Sequence, residues 1–191
     1  MLISNEMLKE NVRLTESEKL GGGSGGGKWY GFIRKLAVSK DFRSILDYGC
    51  GDARFSRTAA KDKAFSGRII TNYDVANPLY PQPPTEYMED PRHDLVICID
   101  VLEHIEEDYL PSVLENIRKC TGKMILMSVC FEASKRWLQD GRNDHVTIRS
   151  PEWWASLFIN HGFITTKVVT CPKFKRNHVK YSVLLVPGDK P

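Results

Sequence analysis

The run Ser44-Ile45-Leu46-Asp47-Tyr48-Gly49-Cys50-Gly51-Asp52-Ala53 constrains this chain more than any other segment. An apolar stretch ends in an acid and is followed by two glycines one residue apart. A short aliphatic run of this kind reads as a buried parallel strand. The glycines after it let the backbone turn tightly and approach a ligand that a Cβ would hold off. Dinucleotide sites follow such a strand with G-x-G-x-x-G, where a third small residue packs helix on strand and a pyrophosphate sits on the helix N-terminus. Here Ala53 and Arg54 stand in that region, and Asp47 at the strand's end would repel a pyrophosphate while attracting a cationic amino acid.

The segment Asp47-Tyr48-Gly49-Cys50-Gly51 resembles motif I of class I S-adenosylmethionine-dependent methyltransferases, whose cofactor carries an ammonium and a sulfonium. The resemblance implies an α/β fold. It would be Rossmann-like and doubly wound, with a mostly parallel seven-stranded sheet and an antiparallel last strand. It also implies that Asp47, Gly49, Cys50 and Gly51 cradle the amino acid part of the cofactor.

The remaining pattern agrees with such a sheet. Strands are expected at 44–48, 68–73, near 86–88, at 94–99 and at 123–129, with helices at 55–61 and 111–120 between them. This alternation means a mostly parallel sheet with helices on both faces. Ser150-Pro151-Glu152 opens a helix with a Ser cap, Pro in the first turn and an acid against the dipole, and Gly162 ends it. Strands at 164–170 and 181–186, joined by a basic loop at 171–180, form the closing hairpin. Upstream, 28–39 reads as a helix with Trp29, Phe32, Ile33 and Leu36 on one face, and 6–19 as an amphipathic helix or partly ordered arm. Between them, Gly21-Gly22-Gly23-Ser24-Gly25-Gly26-Gly27 has a linker composition that favours neither helix nor strand, and its regularity suggests an engineered replacement of a loop. The expected organisation is an arm at 1–20, a linker at 21–27 and a single domain at 28–191.

Composition sets the remaining bounds. With 191 residues, 41% hydrophobic and 27% charged, the chain suits one ordinary domain. No apolar run approaches the roughly 18 residues of a membrane span, and no signal-peptide pattern opens the sequence, so a cytoplasmic location and no membrane partner are expected. The five cysteines are widely spaced without a C-x-x-C pair, which argues against a disulfide framework or thiolate zinc site. A net charge of +3 does not demand a polyanionic partner. Basic clusters at Arg34, Lys35, Lys40 and Arg43, and at Lys173, Lys175, Arg176, His178 and Lys180, keep a nucleic acid open as partner. The sequence does not specify an oligomeric state.

The candidate chemistry follows the strand ends. Asp74 closes the second strand, where an acid accepts hydrogen bonds from both ribose hydroxyls. The resemblance places an adenine-side acid after the third strand, at Glu89 or Asp90. Asn77-Pro78-Leu79-Tyr80 is superficially similar to the N-P-P-Y motif of nucleobase amino-methyltransferases, but it follows the wrong strand and reads as a loop. The fourth strand runs into Asp100-Val101-Leu102-Glu103-His104-Ile105, a segment typical of the superfamily, with Asp100 also expected to touch the cofactor. Asp100, Glu103 and His104 are spaced to share one helical face. In ubiquinone-pathway O-methyltransferases and in enzymes that 2′-O-methylate small-RNA 3′ ends, the corresponding cluster binds a divalent ion, and the RNA enzymes add a downstream histidine. His145, in Asp140-Gly141-Arg142-Asn143-Asp144-His145, is the candidate for it.

Two carboxylates and two imidazoles at Asp100, Glu103, His104 and His145 would suit Mg²⁺, Mn²⁺, Fe²⁺ or Zn²⁺. Metal-free relatives use the Glu-His pair for capping; in that case His145 or His104 is a general base. Arg142 would pair with a phosphate or carboxylate of the substrate. The stretch from Leu138 to Trp154 resembles a group of small phage and bacterial methyltransferases. Among its tryptophans, Trp153 is expected in the core and Trp154 at the acceptor, with Trp137 a further stacking surface. The resulting expectation is S-adenosylmethionine-dependent O-methylation of a small polar metabolite, sugar or nucleotide. The alternatives are an RNA or DNA methyltransferase, and a non-catalytic partner subunit that binds the cofactor.

Overall fold

The computed structural model describes residues 2–17, 25–171 and 179–188. In chain order the elements are α1 (Asn5–Ser17), α2 (Gly25–Ser39), β1 (Ser44–Tyr48), α3 (Arg54–Ala59), β2 (Ile69–Tyr73), β3 (His93–Ile99), α4 (Leu110–Lys119), β4 (Thr121–Cys130), α5 (Pro151–Asn160), β5 (Phe163–Val168) and β6 (Lys180–Pro187). The strands form one sheet in the order β2-β1-β3-β4-β6-β5. β1 pairs in parallel with β2 and β3, and β3 with β4, whereas β6 runs antiparallel to both β4 and β5. The antiparallel last strand is as expected.

Alternation within the strands builds two cores. Leu46 and Tyr48, Val96 and Cys98, and Ile125 and Met127 face the layer that contains Leu114 and Ile117 of α4 and Trp154 and Phe158 of α5. Ile45, Leu95, Ile97 and Leu126 face the opposite layer, with Trp29 and Ile33 of α2 and Phe55 of α3. Helices thus cover both faces of the parallel strands, as such strands require. Ile3 and Met7 of the N-terminal arm join the first layer, so the arm is packed onto the domain.

Three expectations are corrected. Among the described residues the sheet has six strands rather than seven, because Pro84–Glu86 forms a single 3₁₀ turn where a strand near 86–88 was expected. Pro81, Pro83 and Pro84 withhold backbone donors from any ladder there. The linker reading fails for Gly25, Gly26 and Gly27, which form the first turn of α2; positions 18–24 lie outside the described residues. A Cβ on Gly26 would lie 3.2 Å from Phe55 Cβ, and one on Gly27 would lie 3.1 Å from Arg54 Cδ, so these glycines let α2 press onto α3. Trp154, expected at the acceptor, is fully buried beside Phe158 in the core, while Trp153 is only partly buried against it.

Candidate active site

A cavity of about 630 Å³ is walled by residues at and beyond the C-terminal ends of β1, β2, β3 and β4. In doubly wound sheets ligands bind at this edge, in the crevice where the strand order reverses. The reversal here falls between β1 and β3. Gly49, Gly51, Asp74, Asp100, Glu103, His104 and His145 all reach the wall. The arm adds Leu2, Ile3, Asn11 and Leu14, and α2 adds Lys28, none of which the sequence motifs singled out.

The turn after β1 is held from several sides. Gly49 and Cys50 donate backbone hydrogen bonds to the Tyr73 carbonyl at 2.7 and 3.0 Å. Asp74 accepts from Gly51 N at 2.8 Å and from Ala76 N at 2.9 Å, and Asn77 Nδ2 donates to the Gly51 carbonyl at 2.7 Å. Gly49 has φ +77°, and a Cβ there would lie 2.3 Å from Val101 Cγ2, so the turn admits only glycine. Asp74 is therefore a clamp on the turn as well as a cavity residue. Burial raises its pKa against the lowering effect of these backbone bonds. Cys50 contributes backbone to the turn, while its thiol is buried off the cavity wall and its pKa is pushed up by burial.

Asp47 is buried beneath the turn at 6% exposure, and its carboxylate has no hydrogen-bond donor among the described residues. Its Oδ2 lies 3.9 Å from where a Gly26 Cβ would stand, at the first turn of α2. Burial, reinforced by Asp74 and Asp52, lifts its pKa to about 7. Burial of this kind favours the neutral carboxyl, and a positive group placed beside it would favour the ionised form. Glu89 and Asp90, expected on the adenine side, are both exposed and off the cavity wall, and Asp90 is paired with Arg92 at 2.8 Å. The proline-rich turn that replaces the missing strand leaves them outside.

Beyond β3 the chain passes through Asp100 at φ +57° into a 3₁₀ turn at Leu102–His104. Glu103, His104 and His145 each offer an atom to a common point, all within 4.8 Å of one another. Asp100, expected as a fourth member, instead forms an ion pair with Lys180 at the start of β6 and accepts from Ser128 Oγ at 3.5 Å. Glu103 is fully buried. Its Oε1 accepts from Cys130 N at 2.9 Å, whereas Oε2 has no partner. Burial, followed by the nearby Asp100, raises its pKa to about 7. A buried carboxylate oxygen left without a donor is costly and signals a missing positive group.

The hydrogen bonds fix both histidine tautomers. His145 Nδ1 lies 2.6 Å from the Glu132 carbonyl oxygen, which only accepts, so Nδ1 carries the proton and Nε2 the lone pair. His104 Nδ1 faces the Asp144 carbonyl at 3.0 Å and Asp144 Oδ1 at 3.1 Å, so Nδ1 keeps its proton when the ring is neutral. Burial and the neighbouring His104 hold the His145 pKa below the ordinary imidazole value. Burial also opposes charge on His104, but the Asp144 hydrogen bond and the Glu103 and Asp144 charges prevail and raise its pKa. Arg142, expected to meet the substrate, pairs with Asp140 at 2.7 Å and lies off the main cavity, on a second hollow that His145 also lines. Among the described residues, the arginine on the main cavity wall is Arg136. The expected basic loop falls mostly at 172–178, outside the described residues.

The fold is thus a mostly parallel, doubly wound sheet of the nucleotide-binding type, with a glycine turn at its switch point and a Glu-His-His cluster on the same cavity. A family profile described as a methyltransferase domain matches residues 26–168, and the chain belongs to that family. It is thereby a class I methyltransferase, as the β1 turn implied. No curated protein sequence matches the chain. Among solved structures it is similar to the Burkholderia thailandensis 1,6-didemethyltoxoflavin-N1-methyltransferase with bound 1,6-didemethyltoxoflavin and S-adenosylhomocysteine. That match has TM-score 0.59 and 17% identity, over 85% of this chain and 80% of that one. It is also similar to the magnesium protoporphyrin IX methyltransferase of Synechocystis with bound S-adenosylhomocysteine, with TM-score 0.57 and 14% identity, over 85% and 84%. The methyltransferase domain of a bacterial CtHen1 matches with TM-score 0.57 and 15% identity, over 85% of this chain and 98% of that one. Among the described residues no helix is long and apolar enough to cross a membrane.

Proposed function

We propose that this chain transfers a methyl group from S-adenosylmethionine to a hydroxyl oxygen of a small polar metabolite, sugar or nucleotide, with a divalent ion held by Glu103, His104 and His145. The observation that carries the reading is the unpartnered, buried Oε2 of Glu103, at one cavity with two imidazoles whose Nδ1 atoms are already committed. Relatives of this fold act on chemically unrelated acceptors, so the choice of acceptor atom rests on this cluster alone.

The residues present fit the cofactor. Asp47, without a hydrogen bond, would hold the ammonium; the Gly49-to-Gly51 turn would lie along the amino acid part; Asp74 keeps acceptor capacity for the ribose hydroxyls. The cofactor supplies an electrophilic methyl group on a sulfonium. A mixed carboxylate and imidazole set also fits Mn²⁺, Fe²⁺ or Zn²⁺, and such an ion supplies Lewis acidity that makes a hydroxyl a better nucleophile. Lys180 neutralises Asp100 and so keeps a second carboxylate from crowding Glu103. Leu2, Ile3 and Leu14 of the arm add apolar surface to the cavity wall.

The test is methyl transfer from labelled S-adenosylmethionine to pools of sugars, nucleotides and RNA, before and after chelation and with Mn²⁺ restored, with products read by mass. An O-methylated small product that disappears on chelation is expected. Activity untouched by chelation would instead make His145 the general base, and methylation of RNA alone would overturn the acceptor class. A chain that binds no S-adenosylhomocysteine in calorimetry would overturn this reading.

A further inference from the structure

The segment Asp140-Gly141-Arg142-Asn143-Asp144-His145 does more than deliver one histidine. Trp137 and Asn143 form an antiparallel bridge, so residues 137–143 fold back as a tight hairpin. Asn143 staples its base: Oδ1 accepts from Ser134 N at 2.9 Å and from His145 N at 3.0 Å, and Nδ2 donates to the Ser134 carbonyl at 2.9 Å. The register of this hairpin sets Asp144 beside Arg136, whose carbonyl accepts from Asp144 N at 3.2 Å.

Asp144 is 1% exposed. Its Oδ2 accepts a hydrogen bond from Arg136 Nε at 2.7 Å and lies in ion-pair contact with Nη2 of the same guanidinium, also at 2.7 Å. Its Oδ1 and its own carbonyl oxygen both face His104 Nδ1. A buried carboxylate held by a forked guanidinium has little freedom to rotate, and a ring nitrogen bounded by two acceptors keeps its proton. In the neutral ring the opposite nitrogen is then the lone pair that the Glu103 and His145 cluster can use.

We propose that Asp144, clamped by Arg136, is the positioning residue that fixes the orientation and tautomer of His104, so that the Glu103, His104 and His145 cluster is formed before any ion arrives. The proposal rests on the metal reading above for its purpose but not for its geometry. A carboxylate behind a ligating imidazole typically contributes about 10- to 100-fold in ion affinity.

Two measurements on the full chain test it. Long-range ¹H–¹⁵N spectra of the histidine rings should show His104 protonated at Nδ1 in the parent protein and as a tautomer mixture in Asp144→Asn. Mn²⁺ alone, titrated by the loss of its free spin-resonance signal, should bind about 10- to 100-fold more weakly to Asp144→Asn, with S-adenosylhomocysteine affinity retained. Arg136→Met should weaken Mn²⁺ less, and should add nothing to Asp144→Asn when the two are combined. An unchanged His104 tautomer overturns the proposal, as does a loss of Mn²⁺ and S-adenosylhomocysteine binding in parallel. If the parent chain bound no Mn²⁺, the metal reading would fall, and the tautomer measurement would still decide the role of Asp144.

Discussion

His145 Nδ1 sits 2.6 Å from the Glu132 carbonyl oxygen, which commits that nitrogen as a donor and leaves Nε2 unprotonated at the cavity. Glu132 follows the end of β4, so the sheet itself sets the direction of the imidazole. On the function proposed above, His145 either ligates an ion or takes a proton directly, and in both cases its side chain serves the acceptor rather than the cofactor. His145→Ala should reduce methyl transfer by about 10²- to 10⁴-fold while leaving S-adenosylhomocysteine binding intact. Calorimetry on the variant checks the second half, and loss of cofactor binding would move His145 out of the acceptor site.

Asp47 gives a pH dependence with a definite sign. Its folded pKa of about 7 lies above the ordinary 3.8, so without ligand its contribution to stability is full below 3.8 and is lost as pH rises through about 7. On the function proposed above, the cofactor's ammonium pairs with the ionised form. S-adenosylhomocysteine affinity should therefore fall about tenfold for each pH unit below about 7, and fall again once the ligand's own amino group deprotonates. Asp47→Asn should bind more weakly and lose the acidic limb. Calorimetric affinities from pH 5 to 9 decide it, and a parent profile flat through 7 would remove Asp47 from the ammonium site.

Gly49 and Gly67 separate space from strain. Both have positive φ, +77° and +74°, but a Cβ on Gly49 would meet Val101 Cγ2 at 2.3 Å, whereas one on Gly67 meets nothing within 4 Å. Gly67→Ala should cost only the left-handed backbone strain, about 1–2 kcal/mol. Gly49→Ala adds a steric clash and should cost about 2–5 kcal/mol in all. It should also displace Val101 and weaken cofactor binding, which Gly67→Ala leaves alone. Urea unfolding and S-adenosylhomocysteine titrations of the two variants check the contrast.

How far the sequence could be read depended on the range of the interaction involved. The parallel strands announce themselves because apolar runs such as Ile45-Leu46 and Leu95-Val96-Ile97 need no partner information. The spacing of Glu103 and His104 is local, and it put both in view. Asp100 looks equivalent in sequence, but its pairing with Lys180 comes from a strand on the far side of β4, which no local pattern encodes. Arg136 and Arg142 lie on opposite arms of the hairpin that the Trp137 to Asn143 bridge closes, and the first lines the main cavity while the second does not, which no local pattern encodes. Gly26 and Gly27 carry a linker's composition, and only the helix packed against them reveals a close contact.

The adjacent tryptophans provide the last test. The sequence placed Trp154 at the acceptor, yet α5 buries it completely against Phe158, and its exposed counterpart is Trp137 at 63% on the hairpin beside the cavity. Trp153 lies between these extremes, partly buried, with the Arg149 guanidinium 5.7 Å from its ring centroid. Trp154→Ala removes a large side chain from a closed core and should cost about 3–5 kcal/mol, lowering the denaturation midpoint without a change specific to the acceptor. Trp137→Ala should stay within about 0.5 kcal/mol of the parent, since an exposed ring has little packing to lose. If Trp137 stacks on the acceptor, its loss should raise the acceptor KM while leaving S-adenosylhomocysteine affinity and the midpoint unchanged. An unchanged KM would limit the acceptor contacts of this loop to its polar residues. A Trp154→Ala protein as stable as the parent would contradict its burial.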